Sequence, residues 1–199
     1  MQASRWADGV VGSTFGISMA EEEVHQEQKK NDEIMSLLEE MVTKSGFFIP
    51  EKIPELMARL KDSQRRFGRV NTKPAFDGNV CLSIEEKRAL GLNPRMKYSR
   101  TFIECFNPAS FKTIEPRRTL ECMHLDAFYR VSRKSELLKL KKLGWVKQVK
   151  ICPVGDADDC DKVKRMKKIY GIDEVPELPI AGCDSQYCRC IYEAIIPEE

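Results

Sequence analysis

The chain has 199 residues, 42% of them hydrophobic and 32% charged, and its 33 basic and 31 acidic side chains leave a net charge of +2. That is the composition of an ordinary globular protein. No apolar run approaches the roughly 20 residues that a membrane helix needs, and Met1 to Ala20 lack both the basic n-region and the continuous apolar h-region of a signal peptide.

Residues 1–28 mix Gly, Ser and acids without periodicity and read as a flexible arm. Residues 29–110 read as a helical region. Its first helix is expected over about Asn31 to Lys44, where Ile34, Leu37, Leu38, Met41 and Val42 share a face and Gly46 stops the helix. A second helix is expected from Pro54, with Leu56, Met57 and Leu60 inward and Gly68 as its stop. Asn71 to Asn79, with Pro74, Asp77 and Gly78, reads as a loop. Ser83 and Glu86 form a capping box for a short helix ending at Gly91. Thr101 to Phe106 is an apolar run that fits either a strand or a buried helical turn.

Residues 111–199 read as helices plus a cysteine-rich module. A helix from about Glu115 to Val131 buries Leu120, Met123, His124, Ala127, Phe128 and Val131, and a separate one covers about Ser135 to Leu143, stopped by Gly144. Trp145 to Cys152 and Ile191 to Ile196 read as two strands, with the remaining cysteines between them. The fold class is therefore α+β: a mainly helical N-terminal two-thirds closing in a small two-stranded, cysteine-rich module.

Charge is distributed unevenly. The N-terminal part is acidic at Glu21, Glu22, Glu23, Glu27, Asp32, Glu33, Glu39 and Glu40. A basic stripe runs through Arg130, Arg133, Lys134, Lys139, Lys141, Lys142, Lys147 and Lys150, and a second through Lys162, Lys164, Arg165, Lys167 and Lys168. Such stripes are most often solvated helix faces. They also make nucleic acid a candidate partner, by phosphate contact rather than base stacking, because aromatic residues are scarce among them.

Five of the eight cysteines lie from Cys152 onward: Cys152, Cys160, Cys183, Cys188 and Cys190. The expected compartment is the reducing cytoplasm, or a virion, where clustered thiols read as metal ligands before disulfides. Four thiolates on two knuckles suit tetrahedral Zn²⁺. Cys160 and Cys183 anchor the two halves, Cys188 is a third ligand, and the fourth is Cys152 or Cys190. The bland reading is that these are packed free thiols.

The run Asp158-Asp159-Cys160, then Tyr170 to Pro179 (YGIDEVPELP), then Cys183 and Cys188-Arg189-Cys190, resembles the C-terminal module of phage head-morphogenesis proteins of the Mu F type. Those proteins carry an Asp and a Cys-x2-Cys pair, a stretch ending in Pro, and a closing Cys-Arg-Cys. Val163 stands where the second cysteine of the pair would be, and Ser185-Gln186-Tyr187 stands where the family has His-Pro. The resemblance covers about the last 50 residues. It implies a metal-stabilised scaffold associated with phage or mobile-element proteins and no particular catalysis; a protein partner is expected for such a chain.

Catalytic signals are sparse. Of the two histidines, His25 lies in the acidic arm and His124 on an apolar helix face. The calcium-loop pattern starting at Asp156 meets Lys167 where it needs a glutamate. No phosphate loop, nucleophile elbow or dinucleotide fingerprint is present. The expected function is that of a non-enzymatic, phage-related structural or interaction protein with structural Zn²⁺. Two alternatives are a nucleic-acid-binding zinc module using residues 130–168, and a metal-dependent hydrolase or nuclease drawing on His124, Asp126 and Asp156 to Asp161.

Overall fold

A computed structural model describes residues 14–67, 80–155, 159–166 and 168–196, with backbone alone at 14–20, 66 and 67. Gly68 and the Asn71 to Asn79 loop lie outside the described residues. The fold is α+β, as expected, but the sheet has three strands rather than two.

Helix α1 spans Thr14–Ser45. It begins at Thr14 instead of near Asn31, so part of the expected arm is helical. Ala20, three consecutive glutamates, Glu27, Lys29 and Lys30 are all strong helix formers. Side-chain bonds one turn apart support them, from Gln26 to Glu22 and from Gln28 to Asp32. Glu21 to Lys29 are exposed, and burial begins only at Ile34 and Met35. Helix α2 (Ile53–Phe67) follows a 3-10 turn at Pro50–Lys52.

Helix α3 (Ile84–Ala89) has the expected reciprocal box: Glu86 N–H donates to Ser83 Oγ, and Ser83 N–H donates to the Glu86 carboxylate. Thr101 to Phe106 resolves as a helical turn, α4 (Arg100–Ile103), followed by Phe106, which bridges to Phe48. The Phe48 and Phe106 rings lie 4.4 Å apart, and Phe102 meets Phe106 edge-on at 5.1 Å.

The two helices expected over Glu115 to Leu143 are one, α5 (Pro116–Lys142). Glu115 caps it, accepting from the Arg117 and Arg118 amides and from the Tyr98 hydroxyl at 2.6 Å. Ser132, Arg133 and Lys134 contain no breaker, so nothing interrupts the helix before Gly144, whose φ of 71° reverses the chain.

The sheet joins β1 (Gln148–Cys152), β2 (Ile169–Gly171) and β3 (Ile191–Ile195), all antiparallel, in the order β2-β1-β3. A five-residue helix, α6 (Asp161–Arg165), lies between β1 and β2.

Two cores result. The larger gathers Ile34, Leu38 and Val42 of α1, Leu56 and Leu60 of α2, the phenylalanine group, and Leu120, Ala127 and Val131 of α5. The smaller gathers Ile151, Val163, Leu178 and Tyr192 with Cys160, Cys188 and Cys190, and Leu137 and Leu140 of α5 pack against it. Helix α5 is thus the shared spine, its first half serving one core and its last turns the other. Phe128, expected inward, is 39% exposed and carries the Lys30 ammonium 5.5 Å from its ring centre.

Candidate metal centre

The alternation of β1 decides which thiols can meet. Val149 and Ile151 face inward, so Cys152 points to the other face. There its sulfur lies 2.8 Å from Glu193 Oε2, and burial, together with this bond to a carboxylate, raises its pKa. Cys152 is therefore apart from the other four thiols.

Those four are neighbours. Cys183 and Cys160 are linked by a side-chain hydrogen bond, as are Cys183 and Cys188, and Cys188 and Cys190. Cys160, Cys188 and Cys190 are buried and Cys183 is half-buried. Each knuckle is built by local backbone. Cys160 is the N-cap of α6, and its sulfur accepts from the Val163 amide at 3.4 Å. Position 163 thus contributes through its main chain, although valine cannot ligate. Cys183 accepts from the Ser185 amide and hydroxyl, and Cys188 accepts from the Cys190 amide. Amides aimed at sulfur favour the thiolate form.

Asp159 holds the turn before Cys160 by accepting from the Val154 and Gly155 amides at 3.2 and 2.6 Å. Gly182 leads into Cys183 with φ of 72°, and a Cβ there would lie 2.2 Å from Lys162 Nζ. That ammonium in turn donates to Ala181 O at 3.0 Å.

The electrostatics single out one thiol. Cys188 is lowered to about 6, first by the hydrogen bond from the Cys190 thiol, against the opposing effect of burial, and then by the Cys190 amide and the charge of Arg133. Cys190 is raised, because its proton is held between the two sulfurs and the site is desolvated. Burial raises Cys183, with the Ser185 bonds opposing it.

Clustered cysteine sulfurs supported by backbone amides are the donor type that Zn²⁺ takes. Among the described residues, no group of three or more His, Cys, Asp or Glu is placed as it stands to hold a metal ion.

Arg133 was read as part of the basic stripe, but it is 2% exposed. Its guanidinium donates to the carbonyls of Cys188 (2.6 Å), Cys190 (3.2 Å) and Leu178 (3.4 Å). It lies 6.0 Å from the Tyr129 ring centre, Tyr129 stacks on Tyr187 of the cysteine loop, and Arg118 sits over Tyr187. Cys122 is 3.4 Å from Gln186 of the same loop. Arg118, Cys122, Tyr129 and Arg133 recur at helical spacing, so one face of α5 clamps the cysteine loop. A buried arginine and a solvated one look alike in a charge stripe, and only this face periodicity would have separated them.

The rest of the stripe is interleaved with acids. Arg130 pairs with Asp126 at 2.8 Å, Lys134 with Glu33 at 2.7 Å and Lys141 with Asp173 at 3.2 Å. Arg130, Lys134 and Lys141 line a groove of about 630 Å³ that also holds Glu33, Glu40 and Glu177. Lys139 and Lys142 are exposed.

The candidate hydrolytic groups do not converge among the described residues. Asp126 is buried against Arg130. His124 is half-buried, and desolvation lowers its pKa to about 4. A polar hollow of about 410 Å³ beside the thiols contains Asp159, Asp161 and Asp184, but neither His124 nor Asp126 lines it. Asp156 and Asp158 lie outside the described residues. No helix among the described residues is long and apolar enough to cross a membrane. No protein family matches the chain, and no curated protein or solved structure is significantly similar to it.

Proposed function

We propose that this chain is a non-enzymatic structural or interaction protein whose C-terminal module is held together by one Zn²⁺ on Cys160, Cys183, Cys188 and Cys190, in the manner of the Mu F-type head-morphogenesis module that its last residues resemble. The observation that carries the reading is the meeting of these four thiols, drawn from three separate turns, with backbone amides directed at three of the sulfurs. Free thiols packing as small hydrophobes need no such donors. The ion would replace the thiol protons and supply folding free energy to a segment with little apolar area of its own. No labile ligand position is needed in this reading: four protein sulfurs close the coordination shell, as structural sites do.

Elemental analysis of protein purified under reducing conditions tests it. We expect close to one zinc per chain, unchanged in Cys152→Ser and lost in Cys183→Ser. Iron in place of zinc would change the assignment of the ion. A metal-free wild-type protein that keeps its C-terminal structure would end it.

A further inference from the structure

Zinc on four thiolates is a dianionic centre, and a dianion inside a fold is costly unless a positive charge lies close to it. Arg133 supplies one. It is fixed in the wall of the cluster, 2% exposed, and its hydrogen bonds go to main-chain carbonyls, two of them belonging to Cys188 and Cys190. Its Nε is buried without a hydrogen-bond partner. A guanidinium placed this way has only main-chain carbonyls as hydrogen-bond acceptors, and it gains fuller charge compensation when all four sulfurs beside it are thiolates on the ion. Asp159 adds negative charge near Cys190, which increases the need for a cation there.

The second consequence is mechanical. Arg133 stands on α5 at the junction of the two cores, and Tyr129 and Tyr187 brace it against the loop that carries Cys183 and Cys188. A charge held at that position ties the loop's main chain to the helix.

We propose that Arg133 is the charge-compensating partner of the four-cysteine zinc centre, and that through it metal loading stiffens the junction between α5 and the cysteine loop. This rests on the zinc reading above. Arg133 acts through the ligands' backbone and the field at the sulfurs, and it is a positioning residue rather than a ligand.

The test measures Zn²⁺ affinity of the full chain by competition with a chromophoric chelator, for the wild type, Arg133→Gln, Arg133→Lys and the exposed control Lys139→Gln. Glutamine keeps an N–H donor and loses the charge, whereas lysine keeps the charge and loses the fork. We expect Arg133→Gln to weaken binding by roughly 10- to 100-fold, the range for outer-layer partners of metal sites. Arg133→Lys should recover most of that loss, and Lys139→Gln should match the wild type.

A purely structural arginine would lower metal-free and metal-loaded stability alike and leave the affinity unmoved, so unchanged affinity in Arg133→Gln overturns the proposal. Equal weakening in Arg133→Lys and Arg133→Gln also overturns it, because charge would then not be what matters. A wild type that binds no zinc removes this proposal and the zinc reading together. Zinc binding in the wild type with an indifferent Arg133→Gln removes this one alone. Hydrogen exchange in α1 and α2 reports whether each variant remains folded; if Arg133→Gln does not, the comparison of Arg133→Lys with the wild type decides, and a loss of more than tenfold there counts against the proposal.

Discussion

The two cores of this protein are built from different materials. Among the described residues the helical one buries twenty, nearly all large and apolar, a large side chain contributing on the order of 1.5–3 kcal/mol when fully buried. The cysteine one gathers seven of the described residues, three of them cysteines, with the short α6 and β2 as the regular elements between Pro153 and Cys190 among the described residues. The first is the more apolar of the two, with its side chains packed between long helices. The second has fewer buried apolar side chains, and three of its seven are cysteines, so it has more to gain from a cross-link that offsets its ordering entropy. The contrast shows how one chain can pair a more apolar body with a module that gains from cross-linking, sharing only helix α5.

The contrast can be broken from either side. The largest effect expected in the helical body is from Leu38→Ala, since Leu38 is 0% exposed between α1 and its neighbours. It should cost about 2–5 kcal/mol in denaturant unfolding while leaving zinc content at the wild-type value. Loss of metal in Leu38→Ala would mean that the two cores are one cooperative unit.

The next effect is a pH dependence. His124 has its folded pKa lowered from 6.5 to about 4 by burial. The unfolded chain therefore binds the extra proton between those values. Stability from this source is fully present above pH 6.5 and falls as pH drops toward 4, by on the order of 2–3 kcal/mol. Urea unfolding at pH 7 and pH 4.5 should show the decline, and His124→Gln should remove part of it. An identical slope in the variant would place the titration elsewhere.

The smallest effect is from Ser83→Ala. It removes the hydroxyl that accepts the Glu86 amide and should cost about 1 kcal/mol, again without touching metal content.

Much of the helical body was legible in the sequence because its signals are local. The Ser83–Glu86 box, the Glu115 start, the Gly144 stop and the apolar face of Ile34, Leu38 and Val42 each act within a turn or two. The misreadings came where punctuation was over- or under-weighted. The acidic stretch before Asn31 lacks an apolar stripe and reads as a flexible arm, although its residues favour helix and α1 begins at Thr14. The separate helices expected over Glu115 to Val131 and Ser135 to Leu143 are one, because helices end at breakers and caps and residues 132 to 134 contain neither. Strand β2 is three residues long, too short for alternation to announce it.

At the candidate centre, the cluster of cysteines was evident and the choice among them was not. Period-two alternation past Ile151 already sends Cys152 to the outer face, and that signal outweighs its nearness in sequence to Cys160. The amide of Val163 and the burial of Arg133 depend on how α6 and α5 pack, which no linear spacing states.

Hydrogen exchange of the full chain with and without a zinc chelator tests the central claim most directly. The account predicts that amides after Glu174, including those of Cys188 and of Tyr192 in β3, lose protection in the metal-free protein, while α1, α2 and the Leu120 to Val131 half of α5 keep theirs. Protection after Glu174 that survives complete metal removal would mean that the thiols are packing residues and that the small core stands without an ion.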